Sequence, residues 1–372
     1  MLHAFATLGA LTGAPLPAAM AAQLYRPADI SEESAMFRVS DHTVRARRYV
    51  ARGPKAASGR GVLLLHGVHA LGIDEPRLVS FARTLARAGL DVLTPELTQL
   101  TVYRLEPQTI ADIRALAAAH AQATHAEAVG VIGISFAGGL ALMAAAEQEA
   151  AADGGGVLER HARPIGFVTT VGAHDDLTRL CHYYAGETVR GPNGEPTNVA
   201  PHPYGARVML RQQLGRFVTA ADLPVATHAL DSYLHDQPRE AKRLSEQLSA
   251  PGQVFMAVVL EPGVSKTLAG FLDIVARAQH AQLMAASPHG HLSALHVPVF
   301  LLHGEADPII PSIETAYLAR EVPKRWLRAV VITPLLRHAE FPEPPTPRQA
   351  WDLARFVRLL LEQAGSLKLR EY

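Results

Sequence analysis

Ala128-Val129-Gly130-Val131-Ile132-Gly133-Ile134-Ser135-Phe136-Ala137-Gly138-Gly139 is the stretch whose reading decides the fold. Its first seven residues form a continuous apolar run of the kind buried in a parallel sheet, and an alanine-rich helical segment follows. Ser135 sits at the junction. A serine on so sharp a strand-to-helix turn needs small side chains two positions before and after it, because larger ones collide with adjacent strands. Gly133 and Ala137 meet that requirement. Gly138 and Gly139 let the helix lie close to the sheet, with its positive end toward any charge developing near the serine. The pattern predicts a nucleophile elbow, although a serine in an ordinary tight turn would leave a similar signature.

The flanking sequence repeats the alternation of strand and helix. Residues 36–40 and 43–50 alternate like two antiparallel strands joined at Asp41-His42. A polar turn over 53–61 leads to an apolar strand at 62–65. A helix over 75–88, with Pro76 in its first turn, and a strand at 92–95 complete a β-α-β unit. A helix over 109–123 precedes the serine strand. Residues 165–171, 297–302 and 329–332 read as further buried strands, and a terminal helix spans 347–363. Strands alternating with helices predict a mostly parallel sheet covered on both faces, with ligands beyond the carboxyl ends of the strands. Between Gly172 and Leu295 the pattern changes to helical periodicity, over 204–217, 220–235 and 268–285. Gly191-Pro192-Asn193-Gly194 marks an exposed turn there, and Gly154-Gly155-Gly156 marks a loop before the strand at 165.

The expected organisation is therefore an apolar leader over 1–35, an α/β core over 36–172 and 296–372, and a helical insertion over 173–295. At 372 residues the chain is long enough for a large core. Hydrophobic residues make up 48% and charged residues 19%, which excludes a disordered chain. The formal net charge of zero gives no support for nucleic acid or an acidic membrane surface as partner, and points to a small molecule instead. The leader has no Lys, Arg, Asp or Glu before Arg26, and Ala19-Met20-Ala21 resembles a cleavage site. It lacks a basic start and contains Gly9, Gly13, Pro15 and Pro17. Export, membrane anchoring through the leader and a cytoplasmic location all stay open, as does the oligomeric state. Cys181 is the single cysteine, so no intramolecular disulfide can form.

A serine becomes a nucleophile when a base removes its proton, an acid orients the base and donors hold the oxyanion. Leu302-His303-Gly304-Glu305-Ala306-Asp307-Pro308 places an acid just after a buried strand, and Asp307 is the favoured orienter. Asp175 and Asp176, after the strand ending near Gly172, compete with it. His338 follows the last strand in Leu335-Leu336-Arg337-His338-Ala339-Glu340-Phe341, giving the order Ser, Asp, His. Each has a plainer reading: Asp307 could close a turn, and His338 could be one of 18 histidines at the surface.

With four motifs in order, the chain resembles the α/β-hydrolase superfamily from about Phe37 to Leu361, apart from the insertion. They are His66-Gly67 after the third strand, the elbow at Ser135, His303-Gly304-x-x-Asp307-Pro308 after the seventh, and His338 after the eighth. The resemblance implies an α/β-hydrolase fold with an eight-stranded, mostly parallel sheet flanked by helices and a helical cap. It also implies that Ser135 attacks an acyl carbon, His338 shuttles the proton and Asp307 fixes the imidazole. The backbone N–H groups of Phe136 and Val68 would form the oxyanion hole. A carboxylic ester is the substrate class implied, with no cofactor and no metal. The same triad suits an acyltransferase or thioesterase, and a non-catalytic binding protein on this fold is a third reading.

His66 reads as a structural residue that holds its loop, while His69 and His174 either line the site or face solvent. Glu96 reads as a loop residue that could face the pocket. His289-Gly290-His291 has metal-ligating side chains but no acidic or cysteine set beside it in sequence, so no metal is expected there. Cys181 lacks elbow geometry. Tyr183, Tyr184 and Tyr204 are expected to offer a partly hydrophobic pocket.

Overall fold

An antiparallel ribbon, β1 (Ile30–Val39) and β2 (His42–Ala51), borders the sheet on one side. The computed structural model describes residues 30–39, 41–52, 60–154, 163–336 and 346–369. After the ribbon come β3 (Gly61–Leu65), α1 (Pro76–Arg87), β4 (Asp91–Pro95), α2 (Gln108–Ala123), β5 (Val129–Ile134), α3 (Phe136–Gly154) and β6 (Ile165–Val171). The remaining core elements are β7 (Val299–Gly304), β8 (Leu327–Thr333) and the helices that follow each of them. The eight strands lie in the order β1-β2-β4-β3-β5-β6-β7-β8. β2 pairs antiparallel with both β1 and β4, and every pairing from β4 to β8 is parallel.

β1 departs from the expected organisation. Ile30 to Ala35, expected to belong to the leader, pair with Ala51 to Ala46 in β2. Their mixture of Glu, Ser and Ala suits an edge strand, which has no further strand on its outer side among the described residues. Residues 1–29, and most of the polar turn over 53–61, lie outside the described residues. Among the described residues no helix is long and apolar enough to cross a membrane.

The sheet divides two apolar layers because side chains alternate along each strand. Leu63 and Leu65 of β3 face the layer formed with α2 and α3, whereas Val62 and Leu64 face the layer formed with α1 and α12 (Pro347–Gly365). In the second layer Phe300 meets Phe167 and Phe356 edge-on, with ring centroids 6.2 and 6.0 Å apart. Burying each such ring contributes roughly 1.5–3 kcal/mol. Leu140 to Ala145 of α3 are all buried, so this stretch of the helix has no polar face and is enclosed on every side, while Glu147 beyond it is partly exposed. α12 starts from a capping box, in which the Thr346 hydroxyl and the Gln349 side chain satisfy each other's backbone N–H, with Pro347 at the first helical position.

Between β6 and β7 the described residues form helices and connecting loops, with one isolated antiparallel bridge between Arg190 and Pro196. The α-helices are α4 (Leu177–Tyr184), α5 (Pro203–Arg211), α6 (Leu223–Leu234), α7 (Pro238–Ser245), α8 (Ala250–Leu260), α9 (Lys266–Ala278) and α10 (His280–Met284). α11 (Ile313–Glu321) follows β7. The helix expected over 204–217 ends at Arg211, with a 3-10 turn at Leu214–Arg216, and the one over 268–285 breaks at Gln279. The segment is tied to loops at the carboxyl ends of the strands. Gln212 Oε1 accepts from the Leu105 N–H beyond β4, and the His202 N–H donates to Pro308 O beyond β7.

Candidate active site

Ser135 occupies the bend between β5 and α3 with φ of +57°, in the left-handed region that a serine rarely adopts. Its N–H donates to Val171 O at 2.7 Å, and its carbonyl accepts from Gly138 N at 2.9 Å. The small residues around it are required by distance. A Cβ on Gly133 would lie 2.6 Å from Ala137 O and from Gly138 Cα, and one on Gly138 would lie 2.8 Å from Ala173 Cβ. Phe136, the first residue of α3, is buried beside Ser135. Its backbone N–H lies in the helical turn that leaves donors unpaired.

The loop after β3 comes directly against the serine. A Cβ on Gly67 would stand 3.1 Å from Ser135 Cβ and 3.7 Å from its Oγ. His66 shapes this loop. Its Nδ1 lies 2.7 Å from Gly67 O, and its Nε2 lies 2.9 Å from Leu97 N. Gly67 O only accepts and the Leu97 N–H only donates, so the proton is on Nδ1 and the ring is neutral. Burial lowers the His66 pKa from 6.5 to about 4, against the raising effect of the Gly67 bond. Because a trans peptide points its N–H opposite its C=O, the bond to Gly67 O also turns the Val68 N–H away from His66. The Val68 carbonyl is held in turn by the Tyr204 hydroxyl of α5 at 2.8 Å.

Asp307 lies two strands away at the end of β7 and is 1% exposed. Its Oδ1 accepts from Ile309 N at 2.8 Å and Ile310 N at 3.0 Å, which closes the turn. Oδ2 faces Gly172, where a Cβ would come within 3.3 Å of it. Gly172 has φ of +67° and immediately follows Val171, whose carbonyl takes the Ser135 N–H. The ends of β5, β6 and β7 therefore stand side by side with Ser135, Gly172 and Asp307 in that order. Buried His303 braces the loop, its Nε2 2.8 Å from Ile310 O and its Nδ1 2.6 Å from Thr315 Oγ1. His338 lies outside the described residues.

The competing acids are engaged elsewhere. Asp176 caps α4, its Oδ1 accepting from Thr178 N at 2.7 Å and Arg179 N at 3.1 Å. Asp175 meets Arg179 Nη2 at 2.7 Å, and burial together with the Glu314 charge holds its carboxyl well above the usual carboxylate range. His174 is fully buried, with Nε2 3.0 Å from Ala286 O, so it is neither solvated nor free to turn. His69 is partly covered and accepts from Leu71 N at 3.2 Å. Glu96 pairs with Arg45 of β2. Burial pushes the Cys181 thiol up to about 12, which removes its nucleophilic form at neutral pH.

The three tyrosines expected to line a pocket act as ties. Tyr184 donates to Ile309 O at 2.8 Å and Tyr183 to Pro308 O at 3.4 Å, which fastens α4 to the Asp307 loop, while Tyr204 fastens α5 to the Val68 loop. Gly172 has no expected role at the site from sequence, and Tyr204 is expected there only as a pocket residue, not as the tie to the Val68 carbonyl. A glycine ending a buried strand was the available signal for the first, and nothing local marks the second. The expectation that His289 lacks acidic neighbours is also corrected, since Asp175 and Glu321 stand beside it.

No family model and no curated protein matches the sequence. Among solved structures, a puromycin hydrolase is similar with a TM-score of 0.50 and 13% identity, over 92% of this chain and 40% of that one. An esterase of Pyrobaculum calidifontis follows at 0.48 and 17%, over 92% and 90%. The 2-hydroxy-6-oxo-6-phenylhexa-2,4-dienoate hydrolase of Rhodococcus sp. strain RHA1 follows at 0.47 and 14%, over 91% and 100%. At such identities the likeness is one of architecture. Together with the strand order and the bend at Ser135, the likeness to the puromycin hydrolase shows that this chain has the α/β-hydrolase fold.

Proposed function

We propose that this protein is a serine hydrolase that cleaves carboxylic esters of small molecules through an acyl-enzyme on Ser135, with His338 as proton shuttle and Asp307 as its orienting acid. The observation that carries the reading is the φ of +57° at Ser135, on a strand-to-helix bend packed against the Gly67 loop. Such a conformation costs on the order of 1–3 kcal/mol and is found where function uses the strain. The other commitments of Asp175 and Asp176 favour Asp307 as the acid. The fold shared with a puromycin hydrolase supports a hydrolase.

In this mechanism His338 accepts the Ser135 hydroxyl proton as Oγ attacks the ester carbonyl carbon. The carbonyl oxygen gains the negative charge, and the N–H groups of Phe136 and Val68 hold it. Each such donor supplies a factor of roughly 10²–10³ in rate. The intermediate collapses, the carbon–alkoxide bond breaks, and the alkoxide leaves with the proton from His338. Water then gives a proton to His338 as it attacks the acyl carbon, and His338 passes that proton to Ser135 Oγ as the acyl–Oγ bond breaks, which releases the acid and restores the serine. The helices between β6 and β7 serve as a cap over this centre, held down by Tyr183, Tyr184 and Tyr204.

The test is turnover of matched p-nitrophenyl esters, thioesters and anilides by the wild type, Ser135→Ala, His338→Ala, Asp307→Asn and Asp175→Asn. Ester cleavage that falls by about three orders of magnitude in the Ser135 and His338 variants, and strongly in Asp307→Asn but little in Asp175→Asn, is expected. Preference for thioesters or anilides would overturn the ester assignment. Loss in Asp175→Asn with activity kept in Asp307→Asn would overturn the acid.

A further inference from the structure

Beside the base of the cap, three segments remote in sequence bring together a mixed set of donors. Asp175 follows β6, His289 lies in the loop before β7, and Glu321 ends α11. One ligand atom from each lies within 4.8 Å of the other two. His289 Nδ1 is 2.8 Å from Glu321 Oε1 and 3.3 Å from Asp175 Oδ2, yet it makes no hydrogen bond among the described residues. These spacings are those of ligands around one small cation. At about 2.1 Å from a metal, neighbouring donors stand about 3.0 Å apart in an octahedral shell and about 3.4 Å apart in a tetrahedral one.

Acidic side chains outnumber guanidinium groups around the cluster. Arg179 is the guanidinium within reach, but Glu314 takes its Nε at 2.6 Å and shares its Nη2, at 3.1 Å, with Asp175 Oδ2 at 2.7 Å. Glu314 also accepts the N–H groups of Asp175 and Asp176, which fixes it as Arg179's counter-charge. Asp175 thus shares one guanidinium with Glu314, and Glu321 stands beside the His289 imidazole. The Asp175 side chain is fully buried, and its Oδ1 has no hydrogen-bond partner among the described residues. A buried carboxylate oxygen so placed needs a donor or a metal. The Glu321 carboxylate is already oriented, since the Gly290 N–H donates to it at 2.9 Å.

We propose that Asp175, His289 and Glu321 bind one divalent cation of the zinc class through their two carboxylates and His289 Nδ1, with water completing the shell. The imidazole donor selects a borderline metal over calcium or magnesium. The cation staples the His289 loop and the end of α11 to the segment after β6, and so braces the point where the cap leaves the sheet. Asp175 faces Arg179 and Glu314, so this site is independent of the Ser135 chemistry.

Titration of the whole chain with ZnCl₂ in a non-chelating buffer, followed by calorimetry and thermal unfolding, tests the site. The wild type is expected to bind one equivalent saturably, with a melting temperature that rises on addition and falls back with EDTA. Binding should weaken roughly tenfold or more in both His289→Ala and Glu321→Gln, and stay unchanged in His291→Ala. Absence of saturable binding to the wild type, or undiminished binding in both ligand variants, overturns the proposal. Should a variant fail to fold, anomalous diffraction from wild-type crystals soaked in ZnCl₂ decides. A peak between the three side chains supports the site, and peaks only elsewhere refute it.

Discussion

His66 is neutral because its two ring nitrogens are committed to one acceptor and one donor inside the protein. In the unfolded chain it takes up a proton as the pH falls through 6.5, whereas in the folded chain it resists until about pH 4. Its stabilisation is therefore complete above pH 6.5 and is lost as the pH falls toward 4, on the order of 3 kcal/mol in all and about 2 between pH 7 and pH 5. Urea unfolding at those two values should show this loss in the wild type and a smaller one in His66→Gln; equal losses would show that His66 is not the group titrating. Gly172 is constrained twice, by its φ of +67° and by Asp307 Oδ2 against the space a Cβ would fill. Gly172→Ala should cost about 1–3 kcal/mol in stability and displace the carboxylate, lowering kcat on an ester substrate. The catalytic candidates were legible in sequence because each follows an apolar run that reads as a strand. Gly172 and the Asp175, Arg179 and Glu314 group were not, since their meaning lies in neighbours distant along the chain.

The parallel strands and long core helices were readable to within a few residues because apolar runs of four to seven residues, or helical periodicity, mark them, whereas β1 begins six residues before the strand read at 36–40. The helices between β6 and β7 were less so. α7 buries only Ala241 and Leu244, and α8 opens with Ala-Pro-Gly, which reads as a turn until Pro251 is seen in the first turn of a helix. The break at Gln279 carries neither glycine nor proline. At this scale the tie from α5 to the loop after β3 is the informative contact. Tyr204→Phe leaves the Val68 carbonyl without that bond, at a cost of about 1–3 kcal/mol if the group stays dry. Steady-state kinetics should show kcat lowered several-fold or more with KM little changed, because the loop that presents the Val68 N–H loosens; a change in KM alone would assign Tyr204 to substrate binding instead.

Across the whole molecule the sheet and the helical segment differ in how they are held. β3, β5 and β6 are enclosed by both apolar layers, whereas α6, α7 and α8 pack chiefly on other helices of the same segment. Hydrogen exchange should be slowest in residues 62–65 and 129–134 and faster in 223–260, which would open without global unfolding; equal protection would mean that segment and sheet unfold as one unit. The α/β-hydrolase fold positions the bend at Ser135, but the chemistry rests on that serine being activated. Intact mass after exposure to a fluorophosphonate measures this directly, without knowledge of the substrate. The account predicts one adduct on the folded wild type and none on Ser135→Ala. An adduct that survives in Ser135→Ala, or an unmodified wild type that still cleaves esters, would contradict it.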